Sequence, residues 1–337
     1  MKRTLESLVF ALALSSAGCV TTNTPNNTLP ILVSGQTADG KYDSLDNYVD
    51  VAAIPGLKDA NYLIMSESKY KTPDGKEIIL HSLGTAVLYK DVGDKTYLVT
   101  ANHVVKNEDV LRDFFGKEYK KLSEKFFLLD DSQADRLQDL LRKSSETQES
   151  GKFYFEDSSG KKRELKNIVR TSEDIAIAVK IIKPREVKTS AYNEADDVAI
   201  ISVPKLAHQP LVYALGNSDE LQTQNLVYVV GWPLGLVKNV TQGHVTSVND
   251  SLLVRSDPQA NFIFDASISP GNSGGAIFAV RDGKFELIGI TDATYTGAND
   301  LYIGVKINSI KDVFKGDSIR CSDGWKCNLS LPYELKL

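Results

Sequence analysis

Ser273 stands in Ser269-Pro270-Gly271-Asn272-Ser273-Gly274-Gly275-Ala276-Ile277-Phe278, a serine set among glycines and followed at once by an apolar run. Glycine tolerates left-handed and crowded backbone conformations, so a substrate carbonyl can approach the main chain here and sit beside the Ser273 hydroxyl. The amides of Gly271 and Ser273 can then aim at one point and stabilise a developing oxyanion, one such donor being worth about 3 kcal/mol of barrier. An ordinary glycine-rich loop would have the same look, so the case rests on partners elsewhere in the chain.

A serine becomes nucleophilic when a histidine takes its proton and a buried carboxylate orients that histidine. Of the four histidines, His103 closes the apolar run Leu98-Val99-Thr100-Ala101-Asn102, with a Gly84-Thr85 strand ahead of it. His81, His208 and His244 have no such setting and read as surface or core residues. Asp197 is the best seat for the carboxylate because it heads Val198-Ala199-Ile200-Ile201, where an aspartate is desolvated yet fixed. Asp174, before Ile175-Ala176-Ile177, has a similar look, and Asp196 is adjacent. Gly-x-Ser-x-Gly also fits the nucleophile elbow of α/β-hydrolases, but there the histidine follows the serine. No histidine lies after residue 273, and the order His103, Asp197, Ser273 is another known order of such a triad.

The elements that must position these residues have all-β texture. Short apolar runs broken by turn signals include 62–65, 78–80, 84–89, 97–100, 152–155, 175–179 and 198–203, then 226–230, 245–248, 252–254, 262–264, 286–290 and 302–305. Many short strands with closely spaced turns argue for barrels or a sandwich, with Pro204 to Pro210 as a linker between two sets. Between about 108 and 150 the texture changes. Leu111, Phe115, Tyr119, Leu122 and Phe126 fall near helical spacing, and a second helix follows, with Ser132 and Asp135 resembling a capping start and Ala134, Leu137 and Leu141 on one face. This stretch reads as a largely helical insertion.

The 337 residues suffice for one or two packed units, and 42% hydrophobic with 25% charged residues are globular values. A net charge of -5 offers no basic patch, which argues against nucleic acid as a partner. Met1-Lys2-Arg3, the apolar run Leu8 to Leu14 and Ser15-Ser16-Ala17-Gly18-Cys19 have the three parts of an export signal, too short to span a bilayer permanently. Small residues leading into a cysteine resemble the lipobox of bacterial lipoproteins. Cleavage would then leave Cys19 as the new, acylated N-terminus and membrane anchor, although Ser16 departs from the commonest residue there. Cys321 and Cys327 flank a short loop, and in an oxidising compartment a disulfide is the simplest account of the pair.

Three motifs together carry a family resemblance: GTAV with LVTANHVV around His103, DDVAIISV around Asp197, and SPGNSGGAIF around Ser273. With ALGNSDEL, VVGWPLG and VTQGHV between them, the chain resembles a bacterial trypsin-fold serine protease of the Deg, or high-temperature-requirement, branch. The resemblance implies two six-stranded antiparallel β-barrels with the site between them, endopeptidase action on polypeptides through an acyl-enzyme, and neither metal nor cofactor. It also implies that Ser267, six residues before the nucleophile, lies at the base of the primary pocket, with Thr291, Asp292 and Ala293 along its wall. Serine at 267 does not support preference for Lys or Arg, although Asp292 would restore it if it points inward. Too little chain follows the second barrel for a PDZ domain, so the assembly driven by that domain is not carried over.

The resulting layout is a signal peptide over 1–18, a lipidated tether over 19–30, an extension over 31–61, a first barrel over 62–205, a second over 206–315, and a tail with the cysteine loop over 316–337. The alternatives to an envelope endopeptidase are a binding or adaptor module that keeps the fold without turnover, and an esterase or acyltransferase using the same serine.

Overall fold

The computed structural model describes residues 39–44, 53–106, 109–112, 117–143, 154–156, 162–164, 182–194, 196–235, 237–250, 258–294 and 300–315. A short helix α1 (Ile54–Asp59) enters β1 (Asn61–Lys71), followed by β2 (Glu77–Val92), β3 (Lys95–Ala101), β4 (Val110–Arg112), β5 (Glu118–Leu129), α2 (Asp131–Lys143), β6 (Tyr154–Glu156), β7 (Lys162–Glu164), β8 (Arg185–Asn193) and β9 (Val198–Pro204). Six of these strands run in the order β1-β2-β3-β9-β8-β5, and pairing of β1 with β5 closes them into a barrel; β4, β6 and β7 continue from β5 as a flap. Closure removes the open strand edges that an antiparallel sheet would otherwise expose.

The second barrel repeats the architecture. After β10 (Tyr213–Leu215) come β11 (Leu226–Gly231), β12 (Asn239–Ser247), β13 (Asn261–Phe264), β14 (Ala276–Arg281), β15 (Lys284–Thr294), β16 (Tyr302–Lys306) and a helix α3 (Ile307–Lys315). The order β15-β14-β11-β12-β13-β16 closes through β15 and β16, with β10 parallel to β15 on the outside. Asp282 and Gly283, both at positive φ, turn β14 into β15 in a two-residue hairpin, the geometry that Asp-Gly favours. One apolar cluster crosses from barrel to barrel, joining Leu98, Val99 and Ile200 to Tyr228, Phe278 and Leu287, with Ile307 and Ile310 of α3 sealing it. The fold is therefore an all-β pair of six-stranded antiparallel barrels packed on a shared interface.

The stretch 108–150 differs from the sequence-based expectation. Residues 118–129 are not helical: β5 pairs with nine positions of β1, from Leu63↔Leu129 to Lys71↔Lys120, and forms the barrel wall. The helical spacing of Tyr119, Leu122 and Phe126 loses to the demand of β1 for a partner on its second edge, a tertiary constraint that local periodicity does not contain. The second helix does form, but its cap lies two residues earlier than Ser132. Gln133 N–H donates to Asp130 Oδ1 (2.9 Å) while Asp130 N–H donates to Gln133 Oε1 (3.2 Å), a reciprocal capping box. Buried Ala134 and Leu137 seat α2 on Leu63, Met65, Phe127 and Trp232.

Of the extension 31–61, Tyr42 is anchored to the second barrel. Its ring lies 4.0 Å from the Arg281 guanidinium, its hydroxyl donates to Glu286 Oε2 (2.7 Å), and burial pushes the phenol up to about 12. Asp174, the strands expected at 175–179 and 252–254, and Cys19, Cys321 and Cys327 lie outside the described residues.

Candidate active site

The first barrel supplies a histidine and a carboxylate because two of its strands end together. β3 and β9 pair in register through Ala101↔Val198, so the residues just beyond β3 face the residue just before β9 at the barrel rim. Asn102 N–H donates to the Asp197 carbonyl (2.9 Å). Asp197 takes a positive φ of 54°, a conformation that aspartate tolerates better than most residues. Its carboxylate then holds His103 twice: the His103 main-chain N–H donates to Oδ1 (2.9 Å), and the ring Nδ1 lies 2.5 Å from Oδ2. With the carboxylate ionised, Nδ1 carries the hydrogen and Nε2 is left as the basic nitrogen. Burial pushes the Asp197 carboxyl up, but His103, through charge and hydrogen bonds, and a further hydrogen bond from Asp292 outweigh it and hold the group below the usual carboxylate range.

The serine comes from the second barrel, on the turn between β13 and β14. Asn272 N–H donates to the Ser269 carbonyl (3.0 Å), Gly275 N–H to the Asn272 carbonyl (2.7 Å) and Gly274 N–H to the Thr291 carbonyl of β15 (2.7 Å). Among the described residues, the turn thus leaves the main-chain N–H groups of Gly271 and Ser273 without an internal acceptor. Gly271 (φ 97°) and Gly274 (φ 80°) are required here. A Cβ on Gly271 would sit 2.4 Å from the Trp232 carbonyl oxygen, and one on Gly274 would sit 2.2 Å from the Thr85 carbonyl oxygen.

Two threonines brace this turn: Thr291, expected from the resemblance along the pocket wall, and Thr85, which was not expected in the site. Thr85 of β2 donates its main-chain N–H to the Ser273 carbonyl (2.8 Å), and its hydroxyl donates to the Gly271 carbonyl (2.8 Å) while accepting from Trp232 N–H (3.0 Å). Thr291, fully buried, accepts from Gly275 N–H (3.1 Å) and donates to the Asn272 carbonyl. The only sequence signal for Thr85 is a hydroxyl residue in an apolar strand. Thr85 follows Gly84, where a Cβ would meet Val104 at 2.5 Å.

The expected pocket wall divides for the same reason. Successive strand residues face opposite sides, and β15 carries a bulge between Thr291 and Ala293 against β16, leaving Asp292 as the extra residue. Thr291 and Ala293 are buried, and the Thr291 hydroxyl braces the turn. Asp292 turns toward the histidine: its carboxylate lies 3.9 Å from His103 Nδ1. Its main-chain carbonyl accepts from Ser273 Oγ (3.3 Å), so His103, Asp197 and Ser273 converge on one residue. Ser267 is exposed, between β13 and the serine turn.

One ligand atom from each of His103, Asp197 and Asp292 lies within 4.8 Å of the others, the one grouping among the described residues with the makings of a metal site. Within this group, His103 Nδ1 and Asp197 Oδ2 contact each other directly at 2.5 Å. The other histidines stand apart: His81 is buried beside Glu67 (3.4 Å), His208 meets Asp91 (3.1 Å), and His244 lies 4.0 Å from Asp265. Asp196 accepts from Asn193 Nδ2 (2.8 Å).

A double barrel with histidine and aspartate on one unit and a serine turn on the other defines the trypsin-like class of peptidases. The chain belongs to that family: the profile described as "Trypsin-like peptidase domain" matches residues 84–290. Curated relatives that it is similar to include DegP-like proteases. A protein of Hahella chejuensis named "Probable periplasmic serine endoprotease DegP-like" is 26% identical over 192 residues, 56% of this chain and 34% of that protein. One of the same name from Halomonas elongata is 30% identical over 167 residues, 47% of this chain and 33% of that protein. The chain spans well under half the length of these relatives. Among solved structures, the one titled "HtrA-type protease AlgWS227A with decapeptide" has the same fold, with a TM-score of 0.50 at 15% identity over 81% of this chain and 68% of that one.

Proposed function

We propose that the protein is a serine endopeptidase of the bacterial cell envelope, cleaving polypeptides through a triad of His103, Asp197 and Ser273. The observation that carries this reading is the double hold of Asp197 on His103 at the rim facing the Ser273 turn. In the reaction Ser273 Oγ leaves the Asp292 carbonyl, attacks the substrate carbonyl carbon and passes its proton to His103 Nε2. The Gly271 and Ser273 amides receive the oxyanion. The imidazolium then protonates the leaving amine, the C–N bond breaks, and an acyl-enzyme remains. A water, deprotonated by the same imidazole, releases the acid. Asp197 keeps the imidazole in the tautomer this exchange needs.

Ser267 at the pocket base and the turning of Asp292 toward His103 support a preference for small or medium uncharged side chains before the scissile bond. The N-terminal signal and the periplasmic names of the relatives support export, with Cys19 as lipid anchor and Cys321 joined to Cys327. Cys19→Ser would then release the protein from the membrane fraction.

The decisive experiment is labelling of the purified protein with a fluorophosphonate alongside peptide hydrolysis. Labelling at Ser273, absent in a folded Ser273→Ala that no longer hydrolyses peptide, is the expected result. An unlabelled wild type, or undiminished hydrolysis by the variant, sinks the reading, the first outcome in favour of a binding module.

A further inference from the structure

We propose that Lys238 is a positioning residue for the Ser273 turn, its ammonium locked by Asp131 of α2 so that the inserted helix governs turnover. This rests on the reading of Ser273 as the nucleophile, and goes beyond it by giving the insertion between β5 and β8 a part in the reaction.

The first barrel closes without α2. β5 and β8 pair directly through Leu128↔Arg185, Phe127↔Glu186 and Phe126↔Val187, so a tight turn could join them. The chain instead runs from Leu129 through α2, β6 and β7 before it returns at Arg185. What α2 touches is therefore informative. Its buried Ala134 and Leu137 share an apolar cluster with Leu83 and Trp232, and its first residue, Asp131, meets Lys238.

Lys238 ends the bend that carries β11 into β12, whose stem is closed by the pair Gly231↔Asn239. Its side chain is 6% exposed and folds back onto the start of the bend. Nζ donates to the Lys58 carbonyl of α1 at 2.8 Å and to Asp131 Oδ1 at 2.5 Å, and lies 5.2 Å from the centre of the Trp232 ring. An indole face attracts a cation, but a buried ammonium also needs a counter-charge. Burial pulls Lys238 below the ordinary lysine value, and Asp131 is the first group to oppose that pull.

Trp232 is where the ammonium meets the site. Its main-chain N–H donates to Thr85 Oγ1 (3.0 Å), and its carbonyl accepts from Gly235 N–H (2.9 Å). Leu234 N–H donates to the Pro270 carbonyl (2.7 Å), and a Cβ on Gly271 would sit 2.9 Å from that same Leu234 nitrogen. The bend thus sets the place of Gly271, whose amide receives the oxyanion in the proposed reaction. Leu234 keeps the bend's shape at φ 56°, a left-handed conformation that leucine holds only where the surroundings over-determine it. The pair of Lys238 and Asp131 supplies part of that constraint. Without Asp131 the ammonium keeps only a carbonyl and a ring face, so it withdraws to water, the stem loosens and the Gly271 amide drifts. An oxyanion donor acts on the transition state, so the loss falls on kcat and leaves KM alone.

The test compares wild type, Asp131→Ala, Asp131→Glu, Lys238→Met and the double variant Asp131→Ala with Lys238→Met on one peptide substrate, below the melting transition of each. Asp131 is more than half exposed, so glutamate has room there and keeps the charge. The expected result is a kcat loss of about tenfold or more at KM within about twofold for Asp131→Ala and for Lys238→Met. The double variant should be no worse than the poorer single one, because the two side chains act as a unit, and Asp131→Glu should stay within about threefold of wild type. Near-wild-type kcat in both single variants would overturn the proposal. So would losses that multiply in the double variant, an Asp131→Glu as poor as Asp131→Ala, or a raised KM at unchanged kcat, which would put the bend in contact with substrate.

The same contact is read without turnover. The chain has two tryptophans, and a Trp325→Phe background leaves Trp232 as the one that emits. Its emission is expected to shift to the red in Asp131→Ala, as the ammonium withdraws and water enters, and to hold its position in Asp131→Glu. An unmoved emission in a folded Asp131→Ala counts against the proposal, and this comparison decides if Lys238→Met does not fold. Hydrolysis by Ser273→Ala would instead fault the nucleophile, an outcome on which the Trp232 emission does not depend.

Discussion

Thr85, in the second strand of the first barrel, donates its main-chain N–H to the carbonyl oxygen of Ser273 in the second barrel at 2.8 Å. The Ser273 turn is thereby stitched to the unit that carries His103, and the hydroxyl of the same threonine ties down the Gly271 carbonyl. The cleft is therefore held by backbone contacts between barrels as well as by the apolar cluster beneath it.

Gly274 makes that closeness possible, so Gly274→Ala is expected to separate the two halves of the site. A Cβ there would lie 2.2 Å from both the Thr85 carbonyl oxygen and Thr100 Oγ1, at a φ of 80° that alanine resists. The expected cost is about 2 kcal/mol or more of folding stability, with loss of fluorophosphonate labelling. Urea denaturation checks it, and a variant as stable as wild type would show that the turn can shift off the second strand freely.

Asp197→Asn replaces the anion that selects the imidazole tautomer. Turnover is expected to fall on the order of 10⁴-fold, the cost of the same change in the best-studied triad. Asp196→Asn, whose carboxylate faces Asn193, and Asp174→Asn should stay within a few-fold of wild type. Steady-state kinetics on one peptide decide, and a silent Asp174→Asn beside an active Asp197→Asn would reverse the assignment.

Cleavage preference follows from where Asp292 points. A peptide library is expected to be cut after small or medium uncharged residues, because the carboxylate that would attract Lys or Arg is turned toward His103 at 3.9 Å. Cleavage confined to Lys and Arg would require Asp292 to swing into the pocket when substrate binds.

Stability should also report on Glu67. Its hydrogen bond from His81 outweighs partial burial and holds the Glu67 carboxyl below the ordinary glutamate range. A depressed folded-state value means that its stabilisation is full above the unfolded value, about 4.3, and is lost as pH falls through the lower folded value. The melting temperature of wild type should exceed that of Glu67→Gln near neutrality, and the gap should close as the solution is acidified below about pH 4. A gap that stays constant with pH would assign the effect to packing.

The proposed chemistry could be read from the sequence because a nucleophilic serine needs few residue types in a fixed order. His103 at the end of one apolar run, Asp197 at the head of another and Ser273 among glycines announce themselves locally, as does the all-β texture that carries them. The direction of side chains and the identity of some strands were not local properties. Residues 118–129 show helical spacing yet form a barrel wall, because β1, some fifty residues earlier, has an edge that must be paired. Thr291 and Asp292 are neighbours with similar prospects in the sequence, but a bulge set by the register against β16 buries the first under the serine turn and aims the second at His103. Residue types and spacing determined which chemistry is available. The pairing of strands distant in the chain decided which atoms meet, since register is fixed only when both partners are in place.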